Sequence, residues 1–163
     1  MKHLLILLML PFTFSGGAEQ AKLGEYQELE TSKVEEKVKE KDQTDYLIEA
    51  LIQVESRGNT NAIGDKHLGE PSIGVLQIRP VMVREVNRIL KIMGTTQRYK
   101  LKDRFDRQKS IEMFLFWKNY HHPEDGFEEI ARCWNGGPRG LKNKRTEKYW
   151  IKVQNEINNL KIK

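Results

Sequence analysis

In the stretch Asp45-Tyr46-Leu47-Ile48-Glu49-Ala50-Leu51-Ile52-Gln53-Val54-Glu55-Ser56-Arg57-Gly58, apolar residues stand at 47, 48, 51 and 52. That spacing draws a single apolar face on a 3.6-residue helix, so the segment is a buried-face helix and not a strand. Asp45 suits its N-cap and Gly58 its stop. Glu55 therefore falls in the last turn, where the negative end of the helix dipole disfavours ionisation and favours a form that can donate a proton. Arg57, two residues on, offers the opposite influence: a local ion pair would hold the carboxyl low. Taken alone, a glutamate at the edge of an amphipathic helix is as a rule only solvated.

Outward from this helix, residues 59 to 79 are rich in Asn, Gly, Asp and Pro and read as loops with at most a small hairpin. Pro80 is suited to open a helix whose face is Val83, Val86, Leu90 and Met93, with Gly94 ending it. Asp106 caps a longer helix carrying Ile111, Phe114, Leu115, Trp117 and Tyr120. After Pro123 a shorter helix runs from about Phe127 to Trp134 and breaks at Asn135-Gly136-Gly137-Pro138. Thr146 caps a last amphipathic helix through Tyr149, Trp150, Val153, Ile157 and Leu160. No period-two pattern long enough for a real sheet occurs, and no internal repeat. The fold class is mainly α, with a small β or irregular insert after the first core helix.

The chain before Asp45 has a different character. Lys2 and His3 precede an apolar run from Leu4 to Leu10, then Pro11 and the small residues Ser15-Gly16-Gly17-Ala18, the order of a secretory signal. The run is too short to span a bilayer as a helix, which takes about 20 residues. The expectation is a signal peptide at 1–18, export to the periplasm or the extracellular space, and no membrane span once it is removed. Residues 19–44 alternate Glu and Lys, eight acidic against five basic, with too narrow an apolar stripe to dock, and read as a charged linker or frayed helix. The formal charge of +5 then places +7 on residues 45–163, the folded domain, which favours an anionic polymer. One cysteine, Cys133, excludes an intramolecular disulfide framework and a Cys-rich zinc ribbon. His121 and His122 precede Pro123; adjacent side chains on a helix diverge, which suits a C-terminal cap role better than metal binding. No metal or cofactor is expected, and no phosphate-cradling glycine loop is present.

Three segments carry the residue types of a sugar site. Glu55-Ser56 offers an acid beside a hydroxyl. Ser72-Ile73-Gly74-Val75-Leu76-Gln77-Ile78-Arg79-Pro80 sets one amide between apolar neighbours, and an amide supplies donor and acceptor together. A buried glutamine capping a turn is the other reading of Gln77. Cys133-Trp134-Asn135-Gly136-Gly137-Pro138 places an aromatic and an amide before a glycine-rich turn; Trp134 suits either a stacking wall or the core.

In order and spacing, these segments resemble the catalytic domain of soluble-type lytic transglycosylases, a lysozyme-like α+β fold that cleaves peptidoglycan strands. That family closes its first core helix with Glu-Ser, follows with Gly-Leu-Met-Gln and a near proline, then Ala-Tyr-Asn-Ala-Gly-Pro. The counterparts here are Glu55-Ser56, Gly74-Val75-Leu76-Gln77 with Pro80, and Cys133 to Pro138. The family's Asp-opened helix finds Asp106, and its closing Tyr-x-x-x-Val finds Tyr149 to Val153, so the likeness covers about residues 45 to 155. Trp134 stands where the family has tyrosine and Cys133 where it has alanine; an indole N–H donates but does not accept.

The resemblance implies that Glu55 is the catalytic acid and base, and that Ser56, Ser72, Gln77, Trp134 and Asn135 bind the glycan. The implied reaction breaks the β-1,4 bond between N-acetylmuramic acid and N-acetylglucosamine and closes a 1,6-anhydro ring. With Asp65 or Glu70 across the cleft to orient water, the same site would hydrolyse as a lysozyme does. A non-catalytic glycan-binding module would need no acid, so the Glu55-Ser56 pair speaks against it. Nucleic acid is not an expected partner, since no base-reading helix pattern accompanies the positive charge. Peptidoglycan glycan strands are the expected partner, with cell-envelope machinery a second class; the oligomeric state is left open.

Overall fold

The first helix, α1, turns Leu47, Ile48, Ala50, Leu51 and Ile52 inward, all nearly inaccessible to water. These positions span more than half of the helix circumference, so α1 is embedded and other elements pack around it. Each of the Leu and Ile side chains contributes about 2 kcal/mol through burial. In the computed structural model the described residues are 43–162, and α1 occupies 43–56 of them. The expected signal peptide and nearly all of the charged segment lie outside the described residues. Because α1 is already running at residue 43, Asp45 sits inside the helix and is not its N-cap.

The segment after α1 is an irregular insert with a minimal sheet. Strands β1 (Ile63–Gly64) and β2 (Ser72–Ile73) pair antiparallel, Ile63 against Ile73 and Gly64 against Ser72. The chain then folds back at once: Ile73 and Ile78 exchange backbone hydrogen bonds of 3.1 and 2.9 Å around the loop 74–77. Val75, Leu76 and Ile78 are buried in the same core as α1, which fastens the loop beneath the helix.

Helix α2 (Pro80–Ile92) opens on proline as the sequence requires and buries Val83, Val86, Ile89 and Leu90. Met93, expected on that face, is the C-cap and exposed, because the helix has ended and the apolar stripe closes with Ile89 and Leu90. A short 3₁₀ turn (Leu101–Phe105) leads to α3 (Arg107–His121), where the Asp106 carboxylate accepts from the Lys109 N–H at 3.0 Å. Met113, Phe114 and Trp117 face the core, and Tyr120 lies outside it under the Arg88 guanidinium.

Helix α4 (Phe127–Gly136) continues two residues past Trp134, and a 3₁₀ turn (Gly137–Lys142) joins it to α5 (Lys144–Lys161). Asn143, not Thr146, is the N-cap of α5; its side chain accepts from the Arg145 N–H at 3.0 Å. Thr146 is turned inward instead, donating to the Gly140 carbonyl at 2.6 Å and accepting from the Arg132 guanidinium at 3.1 Å.

Two features of the 3₁₀ turn before α3 lock the insert. The buried Arg104 guanidinium donates to the carbonyls of Pro71 and Ile78, both at 3.1 Å, bracketing the β2 loop. The Arg104 carbonyl oxygen lies directly against Gly74, whose φ is +80°, so a Cβ there would be driven into backbone. Gly74→Ala therefore combines a left-handed penalty of about 1–2 kcal/mol with an overpacking cost of about 1–3 kcal/mol. Urea unfolding is expected to show a loss of at least about 2 kcal/mol, with Gly69→Ala, which faces open space, as the near-neutral control.

Candidate active site

The end of α1 and the β1–β2 insert enclose an open cleft of about 380 Å³, lined on one side by Glu55, Ser56 and Arg57 and on the other by Ala62, Gly64 and Gln77. Glu55 is half-buried in its wall. Its carboxylate takes a 2.7 Å hydrogen bond from the Tyr149 hydroxyl, which reaches over from α5. Burial raises the Glu55 pKa, the Tyr149 hydrogen bond lowers it in part, and the negative charge of Asp65 raises it again, leaving it at about 7 against an ordinary 4.5. The same burial, with the charge of Glu55, pushes the Tyr149 phenol well above its ordinary value, so Tyr149 keeps its proton and donates. Arg57 forms no ion pair with Glu55, and the carboxyl is held high, not low.

Ser56, Ser72 and Gln77 all hold the loop 74–77, Ser56 and Gln77 through backbone carbonyls and Ser72 through the Gln77 side chain. The Ser56 hydroxyl donates to the Val75 carbonyl at 2.9 Å, tying the end of α1 to the loop 74–77. Ser72 is buried and donates to the Gln77 side-chain oxygen at 2.9 Å, while the Gln77 amide donates to the carbonyls of Gly74 at 2.9 Å and Ala62 at 3.4 Å. Gln77 is thus a turn-capping amide that also lines the cleft, and a Cβ on Gly64 would run into Gln77 and Ser72.

Trp134 and Asn135 end α4 and do not line this cleft. Trp134 is half-buried, edge-on to Phe114 and to Trp117 with ring centroids 5.1 Å away in each case. Asn135 is exposed at the helix end. The two other carboxylates separate clearly. Glu70 is drawn out to Arg84 in a two-point ion pair at 3.1 and 3.3 Å, which holds it below the usual carboxylate range, whereas the charge of Asp65 reaches Glu55.

Tyr149 had no assigned role in the sequence. Its one signal was the Tyr-x-x-x-Val match, and nothing local ties it to a glutamate 94 residues away. Cys133 is buried, its thiol pushed up by burial and by Glu129. Among the described residues one set of cation donors gathers, His122, Asp125 and Glu129, at the corner between α3 and α4 and outside the cleft lining.

A family model described as the transglycosylase SLT domain matches residues 32–157. Among solved structures, a chain of the crystal structure of Aeromonas hydrophila PliI in complex with Meretrix lusoria lysozyme aligns with a TM-score of 0.54 at 21% identity, covering 68% of this chain and 87% of that one. At that identity the likeness is one of fold, and the fold is the expected lysozyme-like α+β arrangement with its small antiparallel insert. No curated protein matches the chain.

The raised pKa of Glu55 has a thermodynamic signature. The folded protein keeps a proton that the unfolded chain releases from about pH 4.5, so this contribution to stability is complete below pH 4.5 and is lost as pH rises to about 7. The loss is on the order of 3 kcal/mol. Glu55→Gln removes it, so the stability of that variant relative to the parent is expected to grow by this amount from pH 4.5 to pH 8 in urea unfolding. Tyr149→Phe removes a donor to the ionised form and is expected to move the midpoint of the parent's pH dependence upward.

Proposed function

The chain belongs to the transglycosylase SLT domain family, and on that premise we propose that it cleaves the β-1,4 bond between N-acetylmuramic acid and N-acetylglucosamine in peptidoglycan, with Glu55 as the general acid and then the base. The observation that carries this reading is a glutamate with a pKa of about 7 in the wall of an open cleft, held by a phenol and not by a cation. A carboxyl poised there is protonated in a large fraction of molecules near neutral pH and ionises readily once its proton has been used.

Bond cleavage passes through an oxocarbenium-like transition state, which needs a proton on the leaving oxygen and electron density behind the anomeric carbon. Glu55 gives its proton to the glycosidic oxygen as the C1–O bond breaks, and the leaving N-acetylglucosamine departs with a free 4-hydroxyl. The substrate's own acetamido oxygen closes on C1 from the opposite face. The muramyl 6-hydroxyl then attacks C1, the acetamido group leaves, and the Glu55 carboxylate takes the hydroxyl proton. The acid is regenerated, no water is consumed, and one protein carboxyl suffices. Tyr149 stabilises the ionised form that exists between the two steps.

A hydrolytic outcome is the second reading, and Asp65 is the residue that supports it. Its charge acts on Glu55, while Glu70 is committed to Arg84. Export through the segment 1–18, to the periplasm or beyond, and a glycan-strand substrate belong to the same proposal.

Glu55→Gln is expected to lower the rate of peptidoglycan cleavage by about 10² to 10⁴-fold with the fold unchanged; wild-type clearing by that variant would end the proposal. For the active chain, kcat/KM is expected to fall about tenfold per pH unit above an apparent pKa near 7, as the acid form is lost. Mass spectrometry of the released muropeptides separates the two outcomes. Anhydro-ring closure yields products about 18 Da lighter than the reducing ends that hydrolysis leaves, and Asp65→Asn, which lowers the Glu55 pKa in either case, should shift the product ratio away from reducing ends only if Asp65 orients water.

A further inference from the structure

The corner where α3 gives way to α4 gathers three side chains that the cleft chemistry does not use. His122 is the C-cap of α3, Asp125 stands in the turn, and Glu129 lies in the first turn of α4. Their donor atoms all lie within 4.8 Å of one another, and all three residues are partly buried. The imidazole is not free to swing. Its ring packs against Trp117 with centroids 4.6 Å apart, its Nδ1 lies 2.7 Å from the Asp125 carboxylate, and the His122 backbone N–H is anchored on the Lys118 carbonyl at 2.7 Å.

A separate observation concerns charge. Asp125 and Glu129 bring two carboxylates to one corner, and among the described residues no Lys or Arg pairs with either. Glu129 makes no side-chain hydrogen bond among those residues. Both charges are felt one turn further along α4, at the buried Cys133 thiol. The corner is therefore an anionic pocket with one oriented nitrogen donor and oxygen donors on two sides.

We propose that His122, Asp125 and Glu129 form a binding site for a divalent transition cation of the zinc class. One imidazole nitrogen with two carboxylates is a donor set such a cation accepts, at bond lengths of about 2.0–2.2 Å, which puts tetrahedral ligand atoms about 3.3 Å apart. The three donors, now within 4.8 Å of one another, must close to that spacing around the cation. The bound cation replaces the His122–Asp125 hydrogen bond by two metal bonds, draws in Glu129, and staples the end of α3 to the start of α4. Through Trp117 and Trp134 the staple bears on the end of α4 that carries Asn135. The adjacency of His121 and His122 concealed this site, since only His122 takes part while His121 turns to Glu85 at 2.7 Å. The donors stand at i, i+3 and i+7, but the helix breaks between His121 and Phe127, so the corner and not one helix face brings them together.

The test is titration of the purified, chelator-stripped chain with Zn²⁺ alone by calorimetry, with Co²⁺ absorption in the visible and thermal melting as further readouts. The expected result is uptake of one equivalent with a rise in melting temperature. Both responses should weaken at least about tenfold in affinity in His122→Ala and in the nearly isosteric Glu129→Gln, and be retained in Glu55→Gln. Unchanged melting of the metal-free Glu129→Gln chain separates lost ligation from lost folding. Absence of uptake by the parent, uptake that survives both substitutions, or an equal response to Ca²⁺ overturns the proposal.

Discussion

A carboxyl group taken out of water with only a phenol for a partner is the constraint on which the rest of this molecule depends. Desolvation raises the free energy of the charged form, and a nearby cation would cancel that effect by pairing with it. Arg57 is close in sequence yet makes no such pair, and Tyr149 offers a hydrogen bond worth less than a full opposite charge. The result is an acid between two extremes. To hold it there, α1 must be embedded deeply enough to shield Glu55 and must still end at a cleft, which is why its apolar face is so broad and its last turn so open.

The surroundings of that helix end act as fasteners. Ser56 binds the Val75 carbonyl, Arg104 brackets the loop through the Pro71 and Ile78 carbonyls, and Gly74 allows the two backbones to touch. Tyr149 arrives from α5, whose start is set by Asn143 and whose inner face is anchored by Thr146 on the Gly140 carbonyl. A displacement of α5 relative to α1 would thus be felt at one carboxylate oxygen.

The helices could be read from the sequence wherever apolar spacing, a cap and a breaker agreed. The Pro80 start, the Asp106 cap and the Phe127 start lie where they were expected. Thr146 misled because threonine, like asparagine, is a capping residue, and only burial tells which one faces the helix end. Met93 misled because the apolar spacing runs one residue past the end of the helix. In the site, Glu55 and Gln77 could be placed from motif order. The partnership of Tyr149 with Glu55 could not, since it joins segments 94 residues apart. The different fates of Asp65 and Glu70 depend on Arg84, whose distance from Glu70 along the chain gives no hint of an ion pair.

The internal bonding of Gln77 sets the character of the opposite wall. Its oxygen and its amide nitrogen are already engaged by Ser72, Gly74 and Ala62, and Gly64 lies flush against it. A ligand settling there immobilises no side chain that was free beforehand, so the ordering entropy that weakens many polar contacts is absent. The same rigidity works in the other direction. A ligand of altered outline meets a surface already fixed by its own hydrogen bonds, and selectivity on this side of the groove is a matter of contour.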